Sequence, residues 1–311
     1  MTSNFQAVPE AGEIIALLSC PHCSSPVAPA RNSLICANTA CGAAFPIHNG
    51  IFEMVARALP SWNAGDGHAF RKAEEAYSAL CRTASGVAGG QAWGDVEHAT
   101  SGYRAFVRNY CHQIRGAAKA LHSHTACILD ISGGAGAYLR ALAPEFRKAI
   151  HLEAHAPSLQ AASVRAREAG LSNIVFVRGS YLSPPVTEAS IDVLLCTDTL
   201  IRTSTHDRLL LRAIHRCLAP SGIAIIDCHA RTWSRRSRAV GPTRRYTKAE
   251  FSDLLRRTGF SILAIKPAGY LSSTLDCPSW MLNSAAALSK LMGRPARWMA
   301  IVRREGIPDS L

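Results

Sequence analysis

From Ala126 onward the sequence alternates between short β-rich runs and helical stretches, and this alternation limits the fold of the 311-residue chain more than any other feature. The runs CILDIS, AIHLEAH, IVFVRGS, IDVLLCT, GIAIID, FSILAIK and RWMAIVRRE read as strands. Strands that are apolar almost throughout need both faces covered, which is the pattern of a mostly parallel sheet between helices. The intervening helices carry stop signals, since PSLQAASVRAREAG ends in Gly170 and THDRLLLRAIHRCLAPSG ends at a Pro-Ser-Gly step. The expected fold class is therefore α/β, a doubly wound, mostly parallel, seven-stranded sheet.

Composition divides the rest. Residues 1–60 are rich in Cys and Pro, with short apolar pieces between turn formers, as in a small β module. Residues 61–125 read as a helical linker or lid, with AFRKAEEAYSALCR and SGYRAFVRNYCHQIRGAAKALH on either side of the Gly-rich SGVAGGQAWGD. Residues 126–311 form the sheet domain, and the stretch between Tyr270 and Leu291, longer than a hairpin needs, reads as an insertion that shapes a pocket.

Within the first module, Cys20 and Cys23 form one C-x2-C knuckle, and Cys36 and Cys41 form a C-x4-C knuckle. Four thiolates on two turns suit tetrahedral zinc and leave no open coordination position, so the metal's role is structural. A module this small has little core of its own, and metal binding supplies the missing folding free energy. His22 and His48 are nearby alternative ligands. The remaining cysteines, of eleven in all, are scattered singly through apolar segments, which favours a reducing compartment over a disulfide framework. No run of about 18 apolar residues occurs. The N-terminus also lacks the regions of an export signal, so a soluble, cytoplasmic protein with no membrane partner is expected.

The formal net charge of +12 belongs to the larger domain, being densest from Arg231 to Lys248 and recurring at Arg294, Arg297, Arg303 and Arg304. Such a field suits RNA, an acidic carrier protein or an anionic small substrate, or simply a solvated basic surface.

The candidate ligand site is CILDISGGAGAYLRALA, in which an acidic strand end, a small-residue turn and a helix follow one another. That order lets backbone approach a ligand at the carboxyl end of a parallel sheet. Glu153 lies about 20 residues beyond the turn, where a carboxylate can accept ribose hydroxyls. The spacing of G-x-G-x-x-G is missing, which argues against a dehydrogenase.

This succession resembles the class I S-adenosylmethionine-dependent methyltransferases over about residues 103–304. The family pattern D-x-G-x-G-x-G here reads Asp130, Ile131, Ser132, Gly133, Gly134, Ala135, Gly136, with Ser132 in place of the first glycine. Ser132 keeps such a turn if its φ is negative, and its hydroxyl is then in reach of the methionine carboxylate. The resemblance implies that Asp130 orients the turn and the methionine amine and that Glu153 holds the ribose. Ser180 stands where the family commonly has Asp at the adenine, with Tyr181 offering an amide or a ring face instead, and Thr197 ends the fourth strand. About residues 18–55, with CPHC and AFPIHNGI, are similar to the zinc ribbon of the activator subunit of tRNA and release-factor methyltransferases and to the ribbon fused to some bacterial methyltransferases. S-adenosylmethionine and zinc are the expected cofactors.

Methyl transfer is an in-line displacement, so the protein mainly positions the acceptor and removes a proton where one must leave. Asp198, after the fourth strand, and His229, after the fifth, are the candidate catalytic residues, the bland alternatives being a helix cap and a loop histidine. Arg202 is placed to meet an anionic group, and Tyr103 and Tyr110 either close over the methionine or form a helical core stripe. The fourth strand ends in CTDTL and not in an N/D-P-P-Y/F motif, which favours a small molecule or biosynthetic intermediate as acceptor. The alternatives are rRNA or tRNA methylation, aminocarboxypropyl transfer or cyclisation on the same cofactor, and a catalytically silent subunit.

Overall fold

The computed structural model describes residues 13–56, 100–118, 126–200, 206–231, 244–268, 277–278 and 295–305, with isolated positions between 280 and 291. The ribbon contributes β1 (Val27–Ala30), β2 (Ser33–Cys36), β3 (Ala44–His48) and β4 (Ile51–Glu53), and α1 (Ser101–Ala118) follows. The sheet domain then runs β5 (Cys127–Ile131), α2 (Ala137–Leu142), β6 (Lys148–Glu153), α3 (Ala156–Glu168) and β7 (Ile174–Arg178). Its second half is β8 (Ile191–Cys196), α4 (Asp207–Cys217), β9 (Leu218–His229), α5 (Lys248–Arg257), β10 (Phe260–Ala268) and β11 (Arg297–Arg304).

All seven expected strands form and lie in the order β7-β6-β5-β8-β9-β11-β10. The pairs from β7 to β9 are parallel, while β11 runs antiparallel to both β9 and β10. The order reverses between β5 and β8, and a ligand crevice opens at such a switch point, beyond the carboxyl ends of the strands. α4 stops at Cys217 and the following LAPSG is already strand, with Leu218 opposite Ile191, so β9 is longer than the apolar run alone implied. At the other end of this half, α5 starts on a full capping box, Thr247 and Glu250 satisfying each other's backbone donors.

Alternation sorts the strands into two cores. Leu129, Ile131, Leu194, Cys196, Ala224 and Ile226 join one cluster, under α4 and α5. Ile128, Val193, Leu195, Ile223, Ile225 and Met299 join the other, under α1 and α2. By the same period of two, Asp130, Asp227 and Arg297 point to the α1 and α2 side. There α1 presents Phe106, Val107, Tyr110 and Ile114 to the sheet.

The ribbon is an extension of the sheet. β4 pairs in parallel with β7, Ile51 opposite Phe176 and Glu53 opposite Arg178, and Arg178 also forms an ion pair with Glu53 at 2.8 Å. Leu18, Leu34, Phe45, Phe52 and Met54 are buried in the same cluster as Leu152 and Val177. The edge of β7, which would otherwise present unpaired backbone groups, is thereby covered.

Candidate functional site

The four ribbon cysteines converge as expected, all four sulfurs lying within 4.8 Å of one another. Cys20 Sγ is 3.7 Å from Cys41 Sγ, and Cys23 Sγ is 3.5 Å from Cys36 Sγ. Tetrahedral zinc with four thiolates requires about 3.8 Å between sulfurs, so the donor set fits that ion.

At the switch point, Asp130 ends β5 with both carboxyl oxygens buried and without a hydrogen-bond partner. Burial, and then the Glu153 charge, raise its pKa to about 8. His151 lies beside it, Nδ1 3.9 Å from Asp130 Oδ2, and burial lowers its pKa to about 4. Both side chains are therefore neutral at pH 7. His151 Nε2 meets the Gly134 carbonyl at 2.9 Å and braces the turn from beneath. Glu153 Oε2 accepts from Gly134 N at 2.9 Å and Oε1 from His155 N at 2.7 Å.

A Cβ at Gly133 would stand 2.4 Å from His151 Cε1 and 2.5 Å from Asp130 Oδ2, so only glycine lets the turn close over these two groups. Ser132 departs from expectation, since its φ is +58° and not negative. It holds the left-handed conformation that glycine adopts without penalty, and it is strained there. Asp198, at the end of the neighbouring strand, has φ +59°, so non-glycine strain sits on both sides of the crevice. The orphaned buried carboxyl of Asp130 and the Gly-lined turn, with Glu153 at the end of the next strand, fit S-adenosylmethionine, whose ammonium and ribose hydroxyls are donors.

Beyond β7, Ser180 is buried and its Oγ accepts from Leu182 N at 3.1 Å. Tyr181 stacks on His206, with ring centres 6.1 Å apart and planes 10° apart, and its hydroxyl meets His206 Nε2 at 3.2 Å. Thr197 is buried at the end of β8.

Across the crevice the two expected catalytic residues meet, His229 Nε2 lying 3.0 Å from Asp198 Oδ1. Asp198 does not cap α4, which begins nine residues later at Asp207. Its side chain is ringed by protein yet 43% exposed. Desolvation would raise its pKa, but the Arg297 guanidinium and then the His229 hydrogen bond outweigh that and hold it below the usual carboxylate range. Arg297 joins Asp198 at 2.6 Å and Asp227 at 2.9 Å, and its guanidinium carbon lies 4.8 Å from the centre of the Phe106 ring. Asp227 Oδ1 also accepts from Asp198 N at 2.8 Å.

Tyr110 completes this network by donating to Asp227 Oδ2 at 2.6 Å. It is fully buried there, as the core-stripe alternative has it, while Tyr103, two turns back on α1, is only partly buried. Sequence reasoning missed Asp227, Arg297 and His151. The available signal was a charged or polar residue inside an otherwise buried strand, as in AIIDCH, since such groups are buried only when paired. Arg202 and most of the basic run from Arg231 to Lys248 lie outside the described residues.

The family model described as a methyltransferase domain matches residues 128–222. No curated protein sequence matches the chain. Among solved structures, a chain from the complex of the Haloferax volcanii Trm112 methyltransferase activator with a methyltransferase superposes with a TM-score of 0.51 at 15% identity. That match covers 66% of this chain and 94% of the other. The N-methyltransferase NodS from Bradyrhizobium japonicum WM9, in complex with S-adenosyl-L-homocysteine, gives 0.50 at 16% identity over 74% of this chain and 98% of its own. The [4+2]-cyclase SpnF gives 0.50 at 17%, over 73% and 93%. These likenesses establish the fold.

Proposed function

We propose that this chain, which carries an S-adenosylmethionine-dependent methyltransferase domain, transfers the methyl group to a small molecule held against Asp198 and His229. The observation that carries the reading is the crevice itself, with an orphaned carboxyl and a glycine turn on one wall and a solvent-open dyad on the other. Asp130, Ser132, Gly133, Gly134 and Gly136 hold the methionine part, Glu153 the ribose, and Ser180, Tyr181 and Thr197 the adenine side. Bound there, the cofactor supplies a methyl carbon on a positive sulfur, open to in-line displacement. The protein aligns the acceptor, excludes water with α1, and takes up any proton the acceptor must lose.

In this reading residues 1–60 form a zinc ribbon akin to the Trm112-type activator, fused to the domain it serves, and residues 126–311 are the catalytic domain; of the helical linker or lid expected over residues 61–125, all but residues 100–118 lie outside the described residues. Pairing of β4 with β7 supports the fusion, because it joins the ribbon to the sheet through the backbone. A cytoplasmic location is supported by the ten described cysteines, all with free thiols. Among the described residues no helix is long and apolar enough to cross a membrane.

The test is calorimetry with S-adenosylhomocysteine, followed by labelled S-adenosylmethionine incubated with metabolite extract and, separately, with total RNA. Binding with label appearing in a compound of low mass is the expected result. Absence of cofactor-product binding sinks the reading, and label confined to RNA replaces the acceptor class.

A further inference from the structure

The charge count of the network around His229 carries more than its position. Asp198 and Asp227 are two carboxylates sharing one guanidinium, that of Arg297. Three phenols face the same space from α1 and α2, and none adds charge. Burial holds Tyr103 up at about 12, and burial with the nearby carboxylates holds Tyr110 and Tyr138 well above their usual range. With a neutral imidazole the network thus bears one net negative charge, and with an imidazolium it bears none.

Geometry directs where that proton arrives. Asp198 accepts from His229 Nε2–H, which leaves the lone pair on Nδ1, and among the described residues Nδ1 meets no hydrogen-bonding group. The ring is therefore oriented by a carboxylate with its basic nitrogen free, the arrangement that makes imidazole a proton acceptor. Tyr103, half-buried on α1 with its ring 6.4 Å from that of Phe106 and 25° from parallel, lies within electrostatic reach of Asp198 and brings an aromatic side chain to the same region.

Building on the methyltransferase reading, we propose that the acceptor is a phenolic hydroxyl, methylated on oxygen, with His229 Nδ1 taking its proton and Arg297 acting as a positioning residue that holds Asp198. The hydroxyl enters neutral. Its oxygen lone pair forms a bond to the methyl carbon as the carbon–sulfur bond breaks and that electron pair stays on sulfur. The hydroxyl proton passes to Nδ1 and later to water. An amine fits this site poorly, because a net negative charge holds it as ammonium, without the lone pair that attack requires.

The test uses the full chain saturated with S-adenosylhomocysteine and three phenol probes, 4-nitrophenol, 2-nitrophenol and 4-nitrocatechol, whose neutral and ionised forms absorb at different wavelengths. At least one probe is expected to bind with its ionisation displaced about tenfold toward the anion, and His229→Gln is expected to remove the displacement. Asp227→Asn, which takes away one negative charge, is expected to shrink it, an effect that a purely structural role would not produce. Labelled methyl transfer to 4-nitrophenol and to 4-nitrobenzylamine is expected to favour oxygen, with a drop of about 10² in rate for His229→Gln. If S-adenosylhomocysteine binds but no probe does, or ionisation is unchanged, or label goes to the amine, the proposal is overturned while the methyltransferase reading stands. If S-adenosylhomocysteine itself fails to bind, the underlying reading falls first.

Discussion

Arg297, the first residue of β11, donates to Asp227 of β9 across 2.9 Å, and both side chains are closed off from solvent. The antiparallel register that sets Arg297 opposite His229 also leaves the guanidinium in reach of Asp198. Removing one member of a buried ion pair strands the other. Arg297→Met is accordingly expected to lower stability by about 3–5 kcal/mol in urea denaturation, whereas Arg297→Lys is expected to retain more of it. Equal losses for both variants would show that the guanidinium's two-sided contact contributes nothing beyond its bulk.

Gly133→Ala is expected to abolish S-adenosylhomocysteine binding and to cost about 1–3 kcal/mol, because the added carbon meets two buried groups that have nowhere to go. Gly170→Ala, at φ +68° with open space around the added carbon, serves as the control for backbone strain alone and should cost about 1 kcal/mol with binding intact. Calorimetry on the two variants separates the effects.

Ser132→Gly is expected to raise stability by about 1 kcal/mol, relieving the left-handed backbone at φ +58°. A fall in thermal stability would show that the serine hydroxyl outweighs the strain.

The pair Asp130 and His151 gives the ligand-free protein a distinctive pH dependence. Asp130 has a folded pKa of about 8 against an ordinary 3.8, so the folded state binds the extra proton and stability falls as pH rises through that window. His151 has a folded pKa of about 4 against 6.5, so the unfolded state binds the extra proton and stability rises with pH through that window. The two slopes oppose each other from about pH 4 to 6.5 and only the Asp130 slope remains above, so a loss on the order of 2 kcal/mol is expected between pH 6.5 and 8. Urea midpoints across this range, with Asp130→Asn flattening the upper part, provide the check.

Cys36→Ser is expected to lower zinc content and to unfold the ribbon, and with it to expose the β7 edge and the shared core around Phe52 and Met54. Structural zinc supplies roughly 10 kcal/mol to small modules of this kind, so loss of metal should appear as an early transition on heating. Unchanged zinc content would refute the four-thiolate site.

Much of this molecule was legible before any tertiary contact was known. The seven strands followed from apolar runs between helical stretches, the metal site from two cysteine knuckles, and the cofactor turn from an acidic strand end running into small residues. Each of these is a local pattern, in which residues a few positions apart meet through the backbone geometry of one strand, turn or helix. Asp130 and Glu153 were reachable in the same way, because a parallel strand–helix–strand unit fixes the spacing between adjacent strand ends.

Asp198 and His229 were legible as strand-end residues, but the network that joins them to Arg297, Asp227 and Tyr110 was not, because its members come from α1, the end of β8, β9 and β11, with Tyr110 separated from Asp227 by 117 positions and Asp198 from Arg297 by 99. No local rule links such positions, and the reversed strand β11 brings its first residue to the crevice only once the sheet is assembled. The sequence by itself determined which strands, turns and metal ligands exist, since these rest on short-range periodicity and spacing. Only the tertiary structure decided that Asp198 is held by Arg297 and faces His229 instead of capping a helix, because a buried guanidinium finds its carboxylates through the packing of four separate elements.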